Sequence, residues 1–398
     1  MLRRVFYLTL VLSLLLAIGN SSALAGGKSY LFRPIVRAVG KAPPVTKSGV
    51  MSVDGLSQTK DTLCNQHDDA YIQQWMKLVK GVGATHITIG VPYDTPDCGE
   101  DPVAYAKRWE QAARAEELHI WWRQMFTQFE NIYGHPFVTQ CNKPNQKDCN
   151  DYIAMTKAFI VAHKELYQPG DVFSVTAEPA ASRIRGVNCF GEVCVFESAN
   201  GSWNAIPEFN DWLVNGMTAA KEAFVQIGLG DKIKVNAGGL DAFVAVGFDN
   251  PDWGCDSPGK PDILYRQTVV TMGGFVLDHY FDPASDSMKH VLDTIDSCYP
   301  QDRYGQLELA IGEWGPIVGD NTPGQIAATF ADVRAADSRF SRVFNYWQGG
   351  PGQASRALKM LQTAGAASIP GQEYLFTWNG QTLVPTLNYP ALQQEYQK

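Results

Sequence analysis

Residues 307–315 read LELAIGEWG, and residues 172–179 read VFSVTAEP. Both are short runs rich in apolar and β-branched residues, and each leads directly into a glutamate, Glu313 and Glu178. Runs of this kind, bounded by Gly or Pro, are typical of the buried strands of a parallel sheet. The two glutamates therefore stand at the C-terminal ends of two predicted strands.

Strand-like and helical segments alternate on both sides of these two runs. The eight predicted strands cover residues 49–53, 85–91, 119–126, 172–177, 233–237, 275–281, 307–311 and 342–347. Helical apolar spacing lies between them, and this alternation implies parallel strands joined by helical crossovers. A doubly wound open sheet is the alternative, but no G-x-G-x-x-G follows the first strand. We therefore predict a single-domain (β/α)₈ TIM barrel over residues 49–398, with a C-terminal cap after residue 370.

The N-terminal segment has the layout of a secretory signal peptide. Arg3 and Arg4 precede an apolar run over residues 6–18, and small residues at 23–25 offer a cleavage site. An uncleaved anchor is the alternative. We predict a signal peptide over residues 1–25, an irregular lead-in over 26–48, and a secreted or periplasmic monomer that leaves the membrane once the leader is cleaved.

Charge and cysteine usage narrow the class of partner. The formal net charge is −8 and no basic run is present, which argues against a nucleic-acid partner. Eight cysteines in an exported chain favour disulfides, and none has the C-x-x-C spacing of a zinc site. We expect a disulfide-bearing loop layer at the C-terminal face of the barrel, and neither metal nor organic cofactor. The predicted pairs are Cys64 with Cys98, Cys141 with Cys149, Cys189 with Cys194 and, by elimination, Cys255 with Cys298.

In a closed barrel, function collects where strands end and their following loops begin. Hydrolysis of a glycosidic bond requires two carboxyl groups that flank it, and Glu178 and Glu313 end strands that we expect to face each other across the barrel mouth. Glu313 lies between Gly312 and Trp314 without a surface-like charge pattern, whereas Glu308 is interpreted as an ordinary strand residue. The candidate substrate-binding residues at the other strand ends are Tyr93, Trp122, Arg123, Asn236, His279, Tyr280 and Trp347.

This series resembles the clan A retaining glycoside hydrolases, which include cellulases, mannanases and related β-glycanases. Glu178-Pro179 resembles the clan's Asn-Glu-Pro on strand four, and residues 311–315 resemble its strand-seven nucleophile motif. His279-Tyr280 resembles the strand-six aromatic that hydrogen-bonds the nucleophile, and Trp347 the strand-eight sugar platform. The resemblance implies double displacement on β-linked oligo- or polysaccharides, with Glu178 as acid/base and Glu313 as nucleophile.

One position departs from the clan. Ala177 stands where the clan has an Asn that binds the sugar 2-hydroxyl, so Asn236 or Gln124 is expected to supply that contact. Ala177 also favours the alternative of a non-catalytic carbohydrate-binding barrel. A metal-dependent barrel hydrolase is disfavoured, because the seven histidines are scattered along the sequence.

Overall fold

The computed structural model of the chain describes residues 49–60, 62–92, 100–125, 147–176, 207–238, 240–241, 270–271, 274–278, 299–305, 308–314, 323–336, 340–347 and 375–397. All of them belong to one unit, Gly40–Lys398. Within this part of the chain, nine strand segments form one sheet and two more form a hairpin.

The nine segments of the sheet are all parallel to their neighbours. In chain order they are β1 (Val50–Asp54), β2 (His86–Pro92), β3 (His119–Met125), β4 (Val172–Ser174), β5 (Lys234–Asn236), β6 (Leu240–Asp241), β7 (Gly274–Asp278), β8 (Glu308–Trp314) and β9 (Phe340–Trp347). Around the sheet the order is β5-β4-β3-β2-β1-β9-β8-β7-β6. Strands adjacent in the chain are thus adjacent in space, and the last strand returns to pair with the first.

The fifth strand position is split into two short segments. β5 pairs with β4, and β6 pairs with β7. Residues 237–239 join the two segments, and Gly238 has a φ of 111°, in the left-handed region that favours glycine. The eight strand positions therefore form a ring that is closed through the fifth strand. In this ring β3 and β8, the third and seventh positions, lie opposite each other.

Helices follow the strands around the ring. They are α1 (Leu56–Lys60), α2 (Asp69–Gly81), α3 (Pro102–Ala115), α4 (Lys147–Ala162), α5 (Pro207–Gln226), α6 (Gln301–Tyr304), α7 (Pro323–Ala336) and α8 (Asn388–Tyr396). Local sequence determines where two of them begin. The Asp68 side chain accepts the amide of Tyr71, and the Asp101 side chain accepts the amides of Val103 and Ala104. These side chains satisfy backbone donors that have no partner within the helix.

Two apolar clusters lie on opposite faces of the strands. Outward residues such as Val53, Ile87 and Phe173 pack with the helix residues Trp75 and Trp109 in the main core. A smaller buried cluster contains residues from four strands on the other face, Val50, Trp121, Val172 and Val276. Because successive strand side chains point to opposite faces, this second cluster fills the inside of the ring. Side chains are therefore closely packed on both the outer and the inner face of the barrel strands.

The C-terminal tail packs against α2 on the side of the barrel. Strands β10 (Phe376–Trp378) and β11 (Leu383–Pro385) form an antiparallel hairpin, and α8 follows. The ring of Phe376 contacts Trp75, and the Tyr389 hydroxyl donates to the carbonyl of Leu78. The described part of the tail therefore lies alongside α2, and the predicted cap stays a prediction.

The alternation of strands and helices is confirmed over the described residues. The fourth strand ends at Ser174 instead of residue 177, and the seventh continues through Trp314 instead of ending at residue 311. A short helix, α1, directly follows β1. None of the described helices is long and apolar enough to cross a membrane.

The predicted leader, lead-in and loop layer fall largely on residues outside the described part. Residues 1–25 and 26–48 lie there entirely. Cys64 is disulfide-bonded, but each of the four predicted pairs has at least one member outside the described residues. The pairing, the loop layer and the signal peptide therefore stay predictions.

Candidate active site

The C-terminal ends of β6, β7 and β8 bring three acidic residues into register. Asp241 is the Cα partner of Asp278, and Asp278 is the Cα partner of Glu313. Neighbouring strands lie about 4.8 Å apart, so these three positions form a row along one rim of the ring. Glu313 thus lies within β8 at the rim, with two further acidic positions beside it.

Glu313 directly follows an irregularity in β8. Leu277 pairs with Ile311 and Asp278 pairs with Glu313, so the ladder skips Gly312. The register with β9 also shifts between Ile311 and Trp314. An extra residue of this kind is a β-bulge, which bends the strand and re-aims the side chains that follow it.

Arg123 crosses the inside of the ring beneath this rim. Its side chain is fully buried, and Nη2 donates to the carbonyl oxygen of Gly312 at 2.7 Å. Gly312 belongs to β8, which lies opposite β3 in the ring. A side chain that reaches from one strand to the opposite one fills the interior at this level. A ligand bound at the strand ends would therefore lie directly above the Arg123 guanidinium.

Asp54 supplies the negative charge that accompanies this guanidinium. Its Oδ2 lies 3.8 Å from Nη1 of Arg123, and both side chains are fully buried. Its Oδ1 accepts the amide N–H of Leu56 at 2.7 Å, at the first residue of α1. Buried charges are tolerated when they are paired and hydrogen-bonded, so Asp54 compensates Arg123 in the middle of the barrel.

Asn236 is held rigidly by its own side-chain oxygen. Oδ1 accepts the hydroxyl of Ser174 at 2.6 Å and the amide of Gly238 at 3.0 Å. The indole of Trp121 donates to the same Ser174 hydroxyl at 2.8 Å. With both acceptor positions of Oδ1 occupied, the amide NH₂ group is the donor that Asn236 has left to offer.

The substrate-binding role predicted for Trp122 does not fit its position. Its side chain is 1% exposed and packs edge-on against Tyr167 in the core between sheet and helices. Its indole N–H donates to Asp171, before the first residue of β4. Gln124, two residues further along β3, lies on the same strand face and is also buried. Neither side chain faces the inside of the ring, where Trp121 and Arg123 lie.

The other predicted residues divide between the rim and the undescribed part of the chain. Trp347 is the last residue of β9 and the Cα partner of Asp54, which places its backbone at the rim. Glu178, Tyr93, His279 and Tyr280 lie outside the described residues. Their roles stay predictions.

Sequence reasoning overlooked Asp54, Ser174 and Asp241. Asp54 is the last residue of β1, so the strand-end rule that selected the other candidates would have found it. Ser174 lies inside a predicted strand and not at its end. Asp241 lies in β6, a two-residue segment after Gly238-Gly239 that is too short to be predicted from sequence. Only the register of the sheet brings these two to the site.

No metal centre was predicted here. Among the residues that the structure describes, no group of three or more His, Cys, Asp or Glu side chains could hold a metal ion. The expectation that the site works without metal or cofactor stays a prediction.

The ring is similar to fungal β-1,4-galactanases (TM-score 0.52, 13% identity), over 88% of this chain and 99% of theirs. It is also similar to a rice β-glucosidase, with a TM-score of 0.51 and 10% identity over 86% of this chain and 96% of that one. A GH5-4 broad-specificity endoglucanase of Clostridium acetobutylicum has a TM-score of 0.50 and 12% identity over 88% of this chain and 97% of that one. This chain has a TIM-barrel fold. No protein-family model matches its sequence, and no curated protein matches it either.

Proposed function

We propose that the chain is an exported, clan A retaining glycoside hydrolase that cleaves β-linked oligo- or polysaccharides. Glu313 is the nucleophile and Glu178 the acid/base. The observation that carries the proposal is the bulge at Gly312, which lies immediately before Glu313 at the rim and whose carbonyl binds a buried arginine from the opposite strand. This arrangement gives the backbone at Glu313 a rigid support, which a reacting carboxylate needs.

The ring order supports Glu178 as the second carboxylate. Glu178 follows β4 by four residues, and only the fifth and sixth strand positions separate β4 from β8. Because Glu178 follows the C-terminal end of β4 in the chain, we expect both glutamates on the C-terminal side of the ring, where TIM-barrel active sites are built. Two carboxyl groups about 5 Å apart give retention through a covalent glycosyl-enzyme, with the acid later acting as base for water.

Arg123 and Asn236 have distinct roles in this mechanism. The positive charge of Arg123 beneath the rim favours the ionised form of a nearby carboxylate, which is the form that attacks the anomeric carbon. Asn236 offers its NH₂ group to a sugar hydroxyl. It thereby takes over the role of the clan's Asn, whose position is occupied by Ala177 in this chain. Gln124 is not the substitute, because it shares the outward face of Trp122.

Turnover of β-linked glycans by the full chain tests the proposal. Glu313→Gln is expected to abolish hydrolysis, and Glu178→Gln to slow it by about 10²–10⁴-fold, the usual contribution of general acid–base catalysis. Glu308→Gln is the matched control, since it makes the same change at the first residue of β8. NMR of the first-formed anomer should show retention of configuration.

The outcomes separate the proposed function from its alternative. Equal losses in Glu308→Gln and Glu313→Gln would mean that Glu313 is not the nucleophile. Glycan binding without turnover by the unmodified chain would instead indicate a non-catalytic carbohydrate-binding barrel, which Ala177 favours. N-terminal sequencing of exported protein tests the leader: a mature chain that starts near residue 26 is expected.

A further inference from the structure

The carbonyl of Gly312 has an unusual partner for a strand residue. On both sides of β8 the register slips around this position, so Gly312 is the extra residue of the bulge. The extra residue of a bulge falls out of the regular ladder of backbone hydrogen bonds. Its carbonyl oxygen accepts a hydrogen bond from Nη2 of Arg123, on the opposite strand, at 2.7 Å.

Arg123 forms a buried ion pair with Asp54, whose carboxylate is itself held by a backbone hydrogen bond. Asp54 Oδ2 lies 3.8 Å from Nη1, and Oδ1 is bound to the amide of Leu56 at 2.7 Å. The guanidinium is thus placed between a carboxylate of β1 and a carbonyl of β8. Since β1 lies midway between β3 and β8 in the ring order, the three groups brace the interior of the barrel.

We propose that Asp54 and Arg123 are positioning residues for Glu313, acting through the carbonyl of Gly312. Asp54 orients the guanidinium, the guanidinium holds the bulge, and the bulge sets the direction in which Glu313 leaves the strand. The inference rests on the proposed function for its catalytic consequence, although the backbone support itself does not.

The alternative role for this pair is stabilisation of the fold alone. A buried ion pair can often be replaced by uncharged residues without loss of stability, whereas removal of one partner leaves an uncompensated charge. A positioning role has a different signature. The uncharged double variant regains stability but not the geometry at Glu313, and a misplacement of about 1 Å can cost about 100-fold in rate.

The test uses the full chain with Asp54→Asn, Arg123→Met and the double variant. Asn at position 54 still accepts the Leu56 amide, and Met keeps much of the arginine volume. Glu110→Gln is the matched control, because Glu110 is also a buried carboxylate paired with an arginine, Arg114, but on the outer helix α3.

Two readouts are measured on each variant. Hydrogen–deuterium exchange of the β8 peptide, Glu308–Trp314, should rise by about tenfold in all three site variants and stay unchanged in the control, because the local opening free energy falls. On a hydrolysed glycan, kcat should fall by about 100-fold while KM changes by less than about threefold. The double variant should melt close to the unmodified chain and still show the low kcat.

Each result has a defined meaning. Unchanged β8 exchange in Asp54→Asn overturns the inference, as does a double variant that regains both melting temperature and kcat. Faster β8 exchange in a chain whose unmodified form hydrolyses no glycan supports the bracing of Glu313 and overturns the proposed function instead.

Discussion

Asp171 is fully buried where α3 meets the start of β4, and its carboxylate gathers donors from three segments. Arg114 donates to both of its oxygens, at 2.8 and 2.6 Å. The amides of Ile120 and Gln168 and the indole of Trp122 donate as well, at 3.0–3.1 Å. The carboxylate thus ties β3, β4 and α3 together at the N-terminal face of the barrel.

Asp171→Asn keeps the shape of this side chain but removes its charge and turns one acceptor into a donor. Removal of one partner of a buried ion pair costs about 3–5 kcal/mol. We expect the lower end, about 3 kcal/mol, because Arg114 keeps Glu110 as a partner at 3.2 Å. Burial raises the pKa of Asp171, but the hydrogen bonds and positive charge of Arg114 and the hydrogen bond from the Ile120 amide outweigh burial and hold the pKa below its usual value. A lowered carboxyl pKa contributes stability at neutral pH that disappears as pH falls through the folded-state pKa.

Thermal unfolding followed by circular dichroism measures the effect. At about 2 °C per kcal/mol, the lower end for chains of roughly 150–250 residues, Asp171→Asn should lower Tm by about 6 °C at pH 7, and by progressively less below pH 3.8. Asp69→Asn is the control: its ion pair with Arg108 has a similar length, 2.8 Å, but Asp69 is 74% exposed. Exposed pairs contribute about 0–1 kcal/mol. Equal Tm losses in the two variants would refute the argument from burial.

Two further predictions concern single side chains. Burial lowers the pKa of His86 from 6.5 to about 4, so the folded state resists protonation of this imidazole. Acidification from pH 6.5 to pH 4 should therefore reduce the free energy of unfolding by on the order of 3 kcal/mol. His86→Gln, which can still donate to the Gly170 carbonyl, should flatten the dependence of Tm on pH between these values, and an unchanged slope would contradict this prediction. The Tyr396 hydroxyl donates to the buried carbonyl of Ser52 at 2.6 Å. Tyr396→Phe should therefore lower the free energy of unfolding by about 1 kcal/mol, as measured by chemical denaturation. Tyr389→Phe is the control, and it should lower the free energy of unfolding by less because the Tyr389 hydroxyl is only half-buried.

The adjacent tryptophans of β3 illustrate where sequence reasoning succeeded and where it failed. The run over residues 119–126 was predicted as a strand, and it is one. Of its two tryptophans, Trp122 is the one predicted to bind substrate. Successive residues of a strand point to opposite faces, so only one of Trp121 and Trp122 can face the inside. Both faces of a barrel strand are buried, and composition alone does not distinguish them. The packing of Trp122 on Tyr167 decides the matter.

The site shows the same division. The position of Glu313 at a strand end followed from the apolar run before it and the Gly-Glu-Trp sequence. The bulge at Gly312 did not, because a bulge is defined by two registers at once, and a register is a property of neighbouring strands. Asp54 was within reach of the same strand-end rule and was missed.

The sequence by itself determined the alternation of strands and helices, the helix starts at Asp68 and Asp101, and the strand-end position of Glu313. These depend on interactions between residues close in the chain: the period of apolar side chains, local capping and breaking by Gly and Pro. Only the tertiary structure decided which strand faces look inward and that Arg123 reaches Gly312, 189 residues away in the chain. It also decided that the tail packs beside α2. Such contacts depend on register and ring closure, which bring together residues whose local sequences contain no information about each other.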